Sequence, residues 1–260
     1  MDEPYQAYLN RVARLTLPAA YRSQLATIQP SPKFAGDRPA AFPGYSITTP
    51  VGLSDADNTP LYESLIATQQ ELQAQLGSDF VVPVPPESFH LTLADLIWDR
   101  AYQDALKAKP DFAAELCDCV EQSFQRYRQI VREPSPLALQ VMGLIVRPRA
   151  IVVGLVPHQE PAYNRLLHLR RSLYQNPALI GLGIEQQYNF TAHITLGYIS
   201  QVPSWSAEDV MMLAERLIAL NDAHWLDTKP QMLWVKQAEL QKFADMTHFF
   251  REPEFPVVAV

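Results

Sequence analysis

Residues 89–97 read Phe-His-Leu-Thr-Leu-Ala-Asp-Leu-Ile, and residues 192–199 read Ala-His-Ile-Thr-Leu-Gly-Tyr-Ile. Side chains alternate along an extended strand, so His90 and Thr92 share one face about 6–7 Å apart, with Leu91 and Leu93 behind them. His193 and Thr195 share a face in the same way, backed by Ile194 and Leu196. A one-residue slip would bury the histidines, so the apolar backing fixes the register. The two runs lie 103 residues apart, each after an irregular loop, at 83–88 and at 181–189. This echo predicts two similar lobes, each offering one strand to a shared groove. Strict alternation puts small residues, Ala94 and Gly197, next on the two polar faces, where they leave room for a ligand. It puts Asp95 and Tyr198 on the opposite faces.

Outward from these runs, helical and extended segments alternate. Tyr5, Tyr8, Val12 and Leu15 recur at helical spacing, and a short helix is expected after Pro18. Prolines at 30, 32, 39 and 43 then mark an aperiodic connector or surface strap. Residues 45–49 read as a strand and 62–76 as an amphipathic helix closed by Gly77. Residues 111–132 read as a helix, and 137–146 with 150–156 as a hairpin turning at Arg147-Pro148-Arg149. Helices are expected at 161–174, with Arg170-Arg171 on a solvated face, and at 206–220 with a cap. At least one more strand falls within 231–243. The pattern predicts an α+β fold with antiparallel or mixed sheets and helices outside them. Residues 1–43 read as a helical and Pro-rich extension, and 44–260 as the bilobed body.

Composition narrows the function. The chain has 260 residues, 48% of them hydrophobic and 19% charged, enough for a sizeable core. With 21 Lys+Arg against 28 Asp+Glu the net charge is −7, and no basic run exceeds two residues. Long duplex nucleic acid, which is held by phosphate neutralisation, is therefore an unsuitable partner. A cleft for a single phosphate remains open, because it needs only local positive potential. No window approaches the roughly 18–20 apolar residues of a membrane span, and the N-terminus lacks the pattern of a secretory signal. A soluble, cytoplasmic monomer is expected. Cys117 and Cys119 cannot close a four-ligand zinc site and fall on different faces of a helix.

If the two strands face each other, two imidazoles and two hydroxyls surround one point. Histidine titrates near neutrality, so one ring can accept a proton while the other donates one. In-line displacement at phosphorus needs those two roles on opposite sides, and the hydroxyls can donate to the non-bridging oxygens. Given 11 Thr in 260 residues, a histidine opens such a motif by chance about once in a hundred, so two among six histidines is well under one in a hundred.

Phe-His-Leu-Thr-Leu at 89–93 and Ala-His-Ile-Thr-Leu at 192–196 resemble the twin His-x-Thr-x motifs of the 2H phosphoesterase superfamily, over about residues 44–257. That group includes 2′-5′ RNA ligase-like proteins and cyclic nucleotide phosphodiesterases. The resemblance implies a bilobed α+β fold with pseudo-two-fold symmetry and a central groove. It also implies metal-independent hydrolysis, or reversible formation, of 2′,3′-cyclic phosphates or related phosphodiesters, with no cofactor. By position, His90 and His193 would be the acid–base pair, and Thr92 and Thr195 the phosphate-orienting hydroxyls. The substrate expected is a small nucleotide or RNA-end phosphoester. Tyr45, on a strand that could line the groove, and Arg147 and Arg149, in a hairpin turn, are further candidates for substrate binding. Two alternatives stand beside this reading: a groove that binds a phosphorylated ligand or RNA end without turnover, and a metal held between the histidines.

Overall fold

The computed structural model describes residues 3–52, 56–77 and 79–260. Helices α1 (Tyr5–Leu15) and α2 (Pro18–Leu25) open the chain, and Pro18 starts α2, where its missing N–H costs nothing. The strap follows, carrying a two-strand ribbon of β1 (Phe34–Ala35) and β2 (Arg38–Pro39). Next come β3 (Gly44–Thr48), α3 (Thr59–Leu76), β4 (Val81–Pro83) and β5 (Thr92–Trp98). Helices α4 (Asp99–Ala108) and α5 (Phe112–Ile130) lead to the hairpin of β6 (Leu137–Arg147) and β7 (Ala150–Pro157). After α6 (Glu160–Tyr174), α7 (Pro177–Gly181) and β8 (His193–Ile199) comes α8 (Ala207–Asn221). A reciprocal capping box between Ser206 and Asp209 satisfies the first turn of α8. Strands β9 (Met232–Val235), β10 (Gln237–Asp245), β11 (His248–Phe250) and β12 (Val257–Ala259) finish the chain. Helices α4 and α7 and strands β4, β11 and β12 go beyond the sequence expectation.

Two antiparallel sheets form the body, one ordered β11-β10-β3-β5 with β12 also on β10, the other β4-β8-β7-β6-β9. The halves of the chain exchange elements. Strand β4, from the first half, edges the second sheet against β8, and β10 to β12, from the end of the chain, build the first. Helix α3 packs on β4, β8 and α8, whereas α6 reaches across to β5. One apolar core of buried residues spans both lobes. The two motifs meet directly, because Leu91 and Ile194 form an antiparallel bridge that ties the sheets together beside both histidines.

The extension is woven into this body. The Tyr21 hydroxyl donates to Leu144 O (2.7 Å) at the edge of β6. The Tyr8 hydroxyl donates to Leu155 O (3.3 Å) and accepts from Ala192 N (3.2 Å), bridging β7 and the start of the second motif. No helix among the described residues is long and apolar enough to cross a membrane.

Candidate active site

Both motif strands carry β-bulges, and these decide what faces the groove. Thr48 pairs with Thr92, Ile47 with Ala94, Ser46 with Asp95 and Tyr45 with Ile97, so the register skips at Leu93 and Leu96. On β8, Val152 pairs with Thr195 and Ile151 with Gly197, skipping Leu196. Each bulge places two residues opposite one and so shifts the following side chains to the other face. Accordingly Thr92, Asp95 and Trp98 are the half-buried positions of β5, and His193, Thr195 and Tyr198 those of β8. Two expectations are corrected here. Asp95 and Tyr198 turn into the groove, not away from it. Ala94 and Gly197 leave no room for a ligand: Ala94 is fully buried, and a Cβ on Gly197 would lie 2.6 Å from Val81 Cγ1 and 2.7 Å from Val82 O.

The two histidines share one local geometry. His90 precedes its strand, and its Nδ1 lies 2.7 Å from Ser88 O; His193 Nδ1 lies 2.7 Å from Thr191 O. A carbonyl can only accept, so each Nδ1 carries the proton and each Nε2 keeps its lone pair. The Arg147 guanidinium stands 3.5 Å from His193 Nδ1, too far to displace the carbonyl at a nitrogen that already bears hydrogen. Burial pushes the His90 pKa down to about 4, with Lys33 adding to the fall. Burial and then Arg147 push His193 down to about 3, with smaller contributions from His90 and Lys33. Both rings are therefore neutral near pH 7. Among the described residues, the Thr92 and Thr195 hydroxyls have no protein hydrogen-bond partner, and both face the groove.

The groove has a volume of about 240 Å³ and opens to solvent. It contains His90, His193, Thr92 and Thr195 together. One wall is formed by Phe42, Trp98, Tyr198, Phe243, Met246 and Phe249, part of a second apolar cluster that Phe34 and Val82 complete outside the lining. The Phe249 ring lies 4.3 Å from the His90 ring, centroid to centroid. Asp95 receives the hydroxyls of Tyr188 and Ser46, and burial raises its pKa. Lys33, from the strap, completes the lining. Among the described residues, no three His, Cys, Asp or Glu side chains converge as they would around a metal ion.

The other candidates lie outside. Tyr45 is 1% exposed and packs edge-on against Tyr102 (5.5 Å), because the bulge at Leu96 turns its pairing partner Ile97 into the core. Arg149 points outward, its Nη2 donating to Gln29 Oε1 at 3.2 Å. Arg147 touches His193 from behind and does not line the groove. Arg170 is not solvated: it is 4% exposed, donates to Leu93 O and stacks its guanidinium 4.7 Å over the Phe190 ring. The sequence reading missed Lys33, Asp95, Tyr198 and the aromatic wall. A polar or aromatic residue three positions after each threonine was the available signal, but strict alternation discarded it.

Two lobes that exchange strands, each bringing a carbonyl-clamped imidazole and a free threonine hydroxyl to one cleft, define a duplicated two-histidine fold. Residues 33–152 match the family model 2H-phosphodiest, described as a domain of unknown function (DUF1868), from the strap through the first motif and into the hairpin. The match makes this part of the chain similar to a 2H phosphodiesterase-like domain, and it ends before the second motif at 192–196. Among solved structures, the conserved protein of unknown function ATU0111 from Agrobacterium tumefaciens is similar over 86% of this chain and 92% of its own, at 16% identity and a TM-score of 0.59. That likeness is one of fold. TT0787 of Thermus thermophilus covers 83% of this chain and 94% of its own, at 16% identity and a TM-score of 0.42. E. coli LigT covers 85% and 96%, at 15% and 0.38. No curated protein matches the sequence.

Proposed function

We propose that the groove hydrolyses a 2′,3′-cyclic phosphate, or a related small nucleotide or RNA-end phosphoester, by acid–base catalysis between His90 and His193 without a metal ion. The observation that carries this reading is the pair of equivalent Nδ1–carbonyl clamps, which turn two Nε2 atoms to one cleft beside two free hydroxyls. His193, with the Arg147 cation behind it, stays neutral and takes the proton of the attacking water. His90 has no guanidinium at its ring, only the weaker influence of Lys33, and gives its proton to the departing ribose oxygen. The O–P bond to water forms as the ester P–O bond breaks, leaving a phosphomonoester, and the threonine hydroxyls hold the non-bridging oxygens. His90 acquires its proton when the anionic substrate arrives, because a nearby negative charge favours the imidazolium.

The test is hydrolysis of 2′,3′-cyclic nucleotides in EDTA. His90→Ala and His193→Ala should each reduce kcat by about 10²–10⁴. Undiminished hydrolysis in both variants ends the catalytic assignment, and tight nucleotide binding with no product selects the binding alternative.

A further inference from the structure

We propose that Lys33, delivered by the Pro-rich strap, is the cation that binds the anionic oxygen of the substrate. Among the described residues that line the groove, it is the only lysine or arginine. The histidine rings and threonine hydroxyls opposite it are uncharged in the free protein, so the full positive charge facing an incoming anion is this ammonium.

The strap is held at both ends. Gln29 N donates to Pro148 O and Ser31 N to Ile199 O, both at 2.7 Å, on the second lobe. At the other end Phe42 N donates to Ala244 O (2.9 Å), on the first. Between these points Lys33 Nζ lies 4.9 Å from the Phe42 ring centre, 5.1 Å from that of Tyr198 and 3.4 Å from the Tyr198 hydroxyl. Two aromatic faces and one hydroxyl orient an ammonium without neutralising it. It makes no ion pair within 4 Å among the described residues, whereas Lys107, Lys109 and Lys236 pair with Asp104, Glu115 and Asp57 at the surface. Asp95, the acid of the groove, feels the Lys33 charge without pairing with it within 4 Å, and already receives the Tyr188 and Ser46 hydroxyls. An ammonium has three donors and Tyr198 occupies one, which leaves two for a ligand. A half-buried, unpaired cation of this kind costs solvation, and an anion in the groove recovers it.

This inference rests on the phosphoester reading only for the identity of the anion, so its test is read without turnover. Inorganic phosphate is titrated calorimetrically at pH 7 into wild type, Lys33→Met and Lys33→Arg. Methionine keeps an apolar stem between the rings, and equal unfolding midpoints would show that the strap is intact. Lys33→Met should weaken phosphate binding by about 10–100-fold, the worth of one charged hydrogen bond, and Lys33→Arg should restore most of it. With a 2′,3′-cyclic nucleotide the same variant should raise KM and leave kcat within a few-fold. Phosphate affinity unchanged in Lys33→Met, or no phosphate binding by the wild type, overturns the proposal. Phosphate binding that depends on Lys33 in a protein that hydrolyses no cyclic nucleotide keeps this inference and ends the catalytic one.

Discussion

The Nδ1–carbonyl contact fixes a tautomer and leaves a basic Nε2, while burial makes that nitrogen a weaker base than a free imidazole. Both effects are properties of single residues, and both have consequences for stability. The ordinary imidazole pKa is 6.5, and the folded values are about 4 for His90 and about 3 for His193. Between those limits the unfolded chain binds more protons than the folded one, so stability rises with pH through that window. The contribution is fully present above 6.5 and is lost as pH falls towards the folded values. Each ring adds up to about 1.4 kcal/mol per pH unit to the slope. Urea unfolding at pH 7.5 and pH 5 should therefore show a steeper acid loss in the wild type than in a His90→Gln/His193→Gln double variant. Equal losses would mean that the rings are not desolvated. Lys33 illustrates what a residue-level reading misses: it sits in an aperiodic segment, and only backbone bonds to two distant sheets bring it to the histidines.

At the scale of elements, the periodic segments were legible. Helix α1 falls on its expected residues, and the Ser206–Asp209 box marks the start of α8. The bulges were not legible, because a bulge belongs to a pair of strands: Leu93 and Leu96 are skipped by β3, and Leu196 by β7. Hence the histidines and threonines, which come before the first skip on each strand, were placed correctly, and Asp95 and Tyr198, which follow it, were not. The role of α1 was equally hidden. Its Arg11 donates to Thr191 Oγ1 (2.8 Å) and Phe190 O (2.5 Å), while Tyr8 holds Ala192 N, so the helix pins the three residues that lead into His193. Tyr8→Phe leaves a buried N–H and a buried carbonyl without this partner, which should cost about 1–3 kcal/mol of unfolding free energy. Because Thr191 O is also the His193 clamp, kcat should fall a few-fold with little change in KM. A stability loss with kcat untouched would make α1 a packing element with no part in positioning the ring.

At the scale of the whole molecule, the exchange of elements between halves governs how the protein unfolds. Neither sheet is complete within one half of the chain: β8 needs β4 from the first half, and β3 needs β10 from the end. The Leu91–Ile194 bridge and the Arg170 bond to Leu93 O add cross-links at the groove itself. Loss of one sheet therefore removes strands or helices that the other requires, and the two lobes should open as one cooperative unit although each has its own sheet. Trp98 reports on the first sheet and the buried Trp225 on the second lobe. Fluorescence unfolding curves in urea of two variants, one keeping only Trp98 and one keeping only Trp225 of Trp98, Trp205, Trp225 and Trp234, each compared with its own far-ultraviolet dichroism, should give coincident midpoints within either variant. A lobe that melts separately would instead split the fluorescence transition from the dichroism transition in one variant and not the other. The groove would then be an interface between two independently stable domains, and His90 and His193 would be held together by the bridge and the strap alone.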